Sequence, residues 1–493
     1  MGKRWSRRGP LLSLVLVLSL LAQACASAGG APGSPRGFLG GNSRGSAGSP
    51  RGESSRQQQP PSKPAQQSAE DDNTSATPGA MEGTLSSSDL GLVYRFILDR
   101  YVDRVDHVAL VQAANKAIHD LEVKGGALPL DTAALDFAAA PVGNPERDWQ
   151  NFARAYDAVV QKHPEWASAN HPDWAALRQM LQSLGDNNSL FIDPEEFKRM
   201  NETGYSGVGV RMSKPRPDEP PAIVEVFQNS PAARAGLKPG DRVIAVDGKP
   251  TEGRSITEVV SGIRGPQGTP VKVSISRGGQ PALDTQITRA AVDPPRVEGA
   301  VRGNVVGIVR VRGFGENVPE MVQQILTQGR ARGARAWVLD LRGNSGGALN
   351  AVARVAANFM DNRPVGLAVD RDGNREPINA DGRPAIPKTP LVVLVDKETA
   401  SGAEILAAAI KEYQIGPLVG TATAGSVGIA VPRQLSDGSA VQLTVRRLLT
   451  PSGAQLDKMG VQPDVAVDLT IADLERGDDP QLTRALELLA ARL

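Results

Sequence analysis

From Asp89 onward the chain places Val93, Phe96, Ile97 and Tyr101, and then Leu110, Ala114, Ala117, Ile118 and Leu121, at the three- and four-residue intervals of a helix buried along one face. After a Gly- and Pro-rich gap the same period returns in "WQNFARAYDAVVQKH" and "PDWAALRQMLQSLGD", which predicts a mainly helical region over 89–204. Over 205–290 the apolar runs shorten and become β-branched, with Pro-Gly-Asp and Asp-Gly turns between them and short helices before "GLKPGD" and at "SITEVVSGI". From 291 to 493 strand and helix alternate. "VVGIVRVRGF", "AWVLDL" and "PLVVLVD" read as strands, and "ENVPEMVQQILTQGRARG", "ALNAVARVAANFM" and "GAEILAAAIKEY" as helices. The expectation is a multidomain α/β chain with a helical N-terminal region, a small β-rich domain and an α/β core.

Residues 26–88 follow none of these patterns. They are rich in Gly, Ser, Pro and Gln, repeat "GSPRG", and lack the large apolar side chains needed to offset ordering entropy, so a disordered tether is expected. Such a tether has an end-to-end distance of roughly 40 to 50 Å. Ahead of it, Lys3, Arg4, Arg7 and Arg8 precede an apolar run from Leu11 to Ala22 that is short for a membrane span and reads as an export signal over 1–25. The only cysteine, Cys25, closes "LAQAC". This resembles a lipoprotein cleavage and lipidation site, with Ala22 where Leu is usual; an incidental thiol is the alternative. "SRRGPLL" is also similar to a twin-arginine signal. One cysteine excludes an internal disulfide. The expected location is the cell envelope, on the outer face of the cytoplasmic membrane or in the periplasm, with membrane contact through the lipid anchor.

Composition narrows the function classes. With 55 Lys plus Arg against 54 Asp plus Glu, and few Trp or Tyr, nothing favours nucleic acid as a partner. His107, His119, His163 and His171 show no metal-ligand spacing, so solvated or capping roles are expected and no metal site is predicted.

Two strand-to-helix junctions could carry chemistry, "LDLRGNSGGALN" and "VDKETASGAEI". Gly346 and Gly347 let the backbone approach a ligand, and amides at a helix start stabilise negative charge. Ser401 followed by Glu404 is an S-x-x-E capping box, which leaves two readings of Ser401, helix cap or nucleophile.

Residues 205–290 resemble a PDZ domain. The resemblance implies that Gly207, Val208, Gly209 and Val210, in "YSGVGV", present amides to a peptide C-terminal carboxylate while the peptide adds to the sheet edge. The order "LGDNNSLFIDPEEF", the PDZ segment, "LDLRGNSGG", "ASGAEILAAAI", "LSDGSAVQLTV", "TPSG" and "GVQPD" resembles the S41 peptidases, the C-terminal processing or tail-specific proteases. This implies a crotonase-like core with an inserted PDZ domain, no cofactor, and protein or peptide substrates with apolar C-termini. It places Ser401 at the nucleophile position and the oxyanion hole at the amides of Gly402 and one of Gly346 and Gly347.

The departures from the family pattern concern the base. Ser426 stands at the position of the family's lysine, Ala430 at that of its orienting glutamine, and Asn188 where many relatives have His. A serine hydroxyl needs an adjacent base to act as a nucleophile. Lys411 lies ten residues along the helix that Ser401 begins and is out of reach, leaving Lys397 and Lys458 as candidates. Asp370 and Asp372 cannot be placed from sequence. The expectation is an exported serine peptidase with reduced or absent activity. Its rivals are an inactive homologue that binds peptides or acts as a scaffold, and an envelope structural protein. The sequence does not fix the oligomeric state.

Overall fold

The computed structural model describes residues 84–124, 141–201, 205–214, 216 and 218–493. The expected export signal, Cys25 and the tether up to residue 83 lie outside the described residues.

The first helix, Ser87–Arg100, starts earlier than the apolar period indicates. Ser86 and Asp89 form a capping box, so the polar residues before the first buried position already belong to the helix. The tether expected to reach residue 88 therefore ends sooner: Leu85 is 2% exposed, and its amide donates to the buried carboxylate of Asp173 at 2.8 Å. Helices His107–Lys124, Pro145–Lys162 and Pro172–Ser183 complete the helical region. Its core joins Val93, Ile97, Leu110, Ile118, Phe152 and Leu177 to Val441 and Leu443 of strand Ala440–Leu449. The helical region and the α/β core thus share buried side chains. The short strand Leu190–Ile192 also pairs with Ala440–Leu449, in antiparallel register.

The small β-rich domain is a sheet in the order Val210–Ser213, Ala222–Val226, Arg242–Val246, Pro270–Ser276, Leu283–Thr288. Ile223, Val243, Val259, Val273 and Ile275 fill its core. Helix Ile256–Ile263 closes one face and is capped by Ser255 and Glu258. A two-stranded ribbon, Tyr205–Gly207 against Ala290–Val292, joins the segments by which the chain enters and leaves the domain.

The core contains a six-stranded sheet in the order Val297–Arg302, Val306–Val311, Ala336–Asp340, Leu391–Val395, Leu418–Gly420, Val465–Ala466. All neighbours after the first antiparallel pair are parallel. The middle strands are buried throughout, which is why they read as continuous apolar runs. Helices Val318–Ala331, Leu349–Ala356 and Gly402–Glu412 pack on one face and Pro480–Ala490 on the other. A second sheet is built on Ala440–Leu449, which pairs with Gly428–Gln434 and Pro364–Val369. Because the parallel strands run the same way, the loops after Asp340 and after Val395 emerge together at one end, where open α/β sheets place their ligands.

Candidate active site

Ser401 sits in a backbone conformation that most side chains avoid, φ 53° and ψ −124°. Its hydroxyl makes no cap hydrogen bond. The cap is instead made through the Glu404 carboxylate, which accepts the Ser401 amide at 3.0 Å. At Ser255, by contrast, the hydroxyl itself accepts the amide of Glu258. The side-chain capping at this helix start is thus carried by Glu404, whose carboxylate accepts the Ser401 amide.

Glu404 is fully buried and gathers the site around it. One carboxylate oxygen accepts Thr423 Oγ1 and the Gly425 amide, the other the amides of Ser426 and Ser401. Burial raises its pKa above the ordinary carboxylate range, and these hydrogen bonds oppose the rise. The Ser401 amide also reaches the Ser426 carbonyl at 2.9 Å. Ser426 is thereby fixed against Ser401. Its hydroxyl donates to Asn188 Oδ1 at 2.8 Å, and Ser426 itself is 8% exposed. Ala430 lies on strand Gly428–Gln434, paired with Thr444 at a bulge.

The glycine-rich loop packs directly on Ser401. A Cβ on Gly346 would stand 2.7 Å from Ser401 Cβ, and at φ 105° only glycine sits there without strain. The Gly346 amide is taken by Asn344 Oδ1 at 2.9 Å. Among the described residues neither the Gly347 nor the Gly402 amide has a hydrogen-bond acceptor, so of the two loop glycines Gly347 is the one whose donor remains unspent. Asn344 was not singled out by sequence reasoning. It is fully buried, donates to the Val311 carbonyl and accepts the Ala400 amide through its own carbonyl, tying both loops to the sheet. An Asn inside a Gly-rich turn is a weak signal, because such residues usually serve only the turn.

The candidate bases separate. Lys411 is held at the far end of its helix by Asp464 at 3.0 Å and the Gln462 carbonyl at 2.6 Å. Lys397 and Lys458 have exposed side chains, and neither hydrogen-bonds to Ser401 or Ser426. Lys458 nevertheless borders the site, since its amide donates to the Gly425 carbonyl at 2.7 Å. The Asp370 carboxylate is turned into its own loop, accepting from Asp372 and Asn374, and Asp372 is exposed beside it.

On the small β-rich domain, the Val208 and Gly209 carbonyls accept the amides of Ala232 and Phe227. The Val208 side chain belongs to the domain core, and Gly209, at φ 85°, lies so close to Ser230 that a Cβ would overlap it. Among the described residues strand Val210–Ser213 is paired on one side only, with Ala222–Val226, which leaves an edge open to an added strand. Sequence reasoning also missed Arg211 on that strand. Its guanidinium bonds Glu225 and Glu398 and lies against Gly343, touching both active-site loops. Glu225 in turn is held by Arg310 and Arg312 of the core.

Comparison with known proteins agrees with this arrangement. The peptidase family S41 profile matches residues 305–467 and a PDZ domain profile residues 223–277. The chain is 32% identical to the carboxy-terminal processing protease CtpA of Bacillus subtilis, over 69% of this chain and 72% of that protein. It is 32% identical to the carboxyl-terminal-processing protease of Synechocystis, over 64% of this chain and 76% of that one. Among solved structures it is similar to the photosystem II D1 C-terminal processing protease, with a TM-score of 0.51 and 27% identity, covering 78% of this chain and 93% of that one.

Proposed function

The chain belongs to peptidase family S41, and from that premise we propose that it engages the C-termini of proteins or peptides in the cell envelope with a hydrolytic step that is weak or absent. The PDZ edge strand takes the substrate's apolar C-terminus and its carboxylate at Gly207 to Val210. Ser401 is the group that attacks the scissile carbonyl, with the Gly347 and Gly402 amides set to stabilise the oxyanion, an effect worth roughly 3 to 4 kcal/mol per donor. The observation that carries the reading is the hydrogen bond from Ser426 to Asn188. It supports a neutral hydroxyl and amide in the place from which the family's lysine would draw the proton of the serine.

Export through the N-terminal signal and lipidation at Cys25 complete the proposal, holding the catalytic part on a tether at the outer face of the cytoplasmic membrane or in the periplasm. A second reading, an inactive peptide-binding or scaffolding protein, is favoured by the same hydrogen bond taken to its limit. The experiment compares cleavage of an apolar-ended peptide by the wild type, Ser426→Lys, and Ser426→Lys combined with Ser401→Ala. The expected result is low turnover, a rise, and loss of the rise. Robust wild-type turnover abolished by Ser401→Ala would refute the weakened step and make Lys458 the first residue to test. A Ser426→Lys variant that still binds the peptide and cleaves nothing would favour the scaffold.

A further inference from the structure

The end of the peptidase core opposite Ser401 carries cations that the peptidase chemistry does not use. Arg342 to Gly347 and Asp396 to Ser401 follow the C-terminal ends of parallel strands Ala336–Asp340 and Leu391–Val395. At the other ends of these strands, about 16 Å away for five residues, three loops meet. The Val305 amide donates to the Arg302 carbonyl at 3.1 Å, and the Arg335 amide to the Val305 carbonyl at 2.7 Å. The Trp337 amide donates to the Pro390 carbonyl at 2.9 Å, which brings the Lys388 loop alongside. Arg302, Arg332, Arg335 and Lys388 are all exposed. Among the described residues none of the four has an ion-pair partner, whereas Arg211, Arg310, Arg312 and Arg342 around the catalytic end are all paired.

Helix ends explain only part of this. Arg332 follows the last turn of helix Val318–Ala331, where the helix dipole favours a cation. Arg302 lies at a hairpin and Arg335 leads into a strand, where no dipole calls for them. Asp361 and Asp381 are likewise exposed, and among the described residues neither forms an ion pair.

We propose that this pole is a docking surface for an anionic bilayer. Long-range capture of nucleic acid is disfavoured by the net charge of +1. The choice of a membrane over an acidic protein rests on the export and anchoring reading proposed above. Clustered arginines bind such a surface through its negative potential, and docking by this end leaves Ser401 and the open PDZ edge facing away from the lipid.

The test uses the full chain, its Arg302→Gln, Arg332→Gln, Arg335→Gln triple variant and the corresponding triple Lys variant. Each is sedimented with vesicles of phosphatidylcholine alone or mixed equally with phosphatidylglycerol. Residues 1–83 are the same in all three, so differences between them report on the pole. The Gln variant is expected to partition to the mixed vesicles about a hundredfold more weakly at low salt, with equal partitioning of all three to phosphatidylcholine. The Lys variant should behave as the wild type. Equal partitioning of wild type and Gln variant to mixed vesicles overturns the proposal, as does a loss equal on both vesicle types. A wild type that ignores mixed vesicles yet is retained by heparin would assign the pole to another polyanion and likewise overturn it. Thermal melts of each variant exclude unfolding as the cause. Mass spectrometry of the mature N-terminus reports separately on Cys25, so failure of the anchor is distinguishable from failure of the docking surface.

Discussion

Arg211, on the open edge strand of the PDZ domain, donates a hydrogen bond to the carboxylate of Glu398, three residues before Ser401. The edge strand of the PDZ domain and the loop that leads to Ser401 are thus joined through one ion pair. Desolvation of the Arg211 guanidinium is outweighed by Glu398 and Glu225, and its pKa stays above the ordinary arginine value. A double-mutant cycle over Arg211→Ala and Glu398→Ala, read by denaturant unfolding, should give a coupling of about 1 kcal/mol for this partly exposed pair. A coupling of zero would mean that the two domains hold their places without it.

The conformation of Ser401 makes a second prediction. A non-glycine residue at positive φ carries strain of about 1 kcal/mol, which glycine relieves. Ser401→Gly should therefore be more stable than Ser401→Ala by about that amount, although both lose the hydroxyl. Equal stability of the two variants would show that the backbone at 401 is not strained.

Glu404 offers a third. Every one of its hydrogen bonds is accepted from a donor, Thr423, Gly425, Ser426 or Ser401. Glu404→Gln would turn an amide nitrogen toward some of those donors and should cost about 2 kcal/mol, with increased hydrogen exchange at the Gly425 and Ser426 amides. A Gln variant as stable as the wild type would show that the carboxylate is not needed as an acceptor.

Acid should act through Asp340. Burial alone would raise its pKa, but Arg342 overrides burial and holds the carboxyl down at about 2. The folded value lies below the unfolded one, so the contribution is complete above about pH 4 and is lost as pH falls toward 2. The loss is about 2 to 3 kcal/mol. Because Arg342 also bonds Asp479 and Gln481, ahead of and within helix Pro480–Ala490, that helix should loosen first. Unfolding curves from pH 5 to 2.5 check the slope, which should shrink by about one proton in the Asp340→Leu, Arg342→Leu double variant.

Much of this protein was determined by local sequence. The three- and four-residue spacing of Val93, Ile97, Leu110 and Ile118 sufficed for the helical region, and unbroken apolar runs sufficed for the buried parallel strands, because burial on one face or on both leaves a direct imprint on residue order. Ser401, Gly346 and Gly347 were legible for the same reason, since sharp turns and helix starts demand particular residues. Strand pairing and ion pairing across distance leave no such imprint. Only the tertiary structure decided that Leu190–Ile192 joins Ala440–Leu449, that Asn188 meets Ser426, and that Arg211 reaches Glu398. Each of these contacts spans more than a hundred residues of chain, and its partners are selected by the packing of whole sheets and domains rather than by their neighbours in sequence.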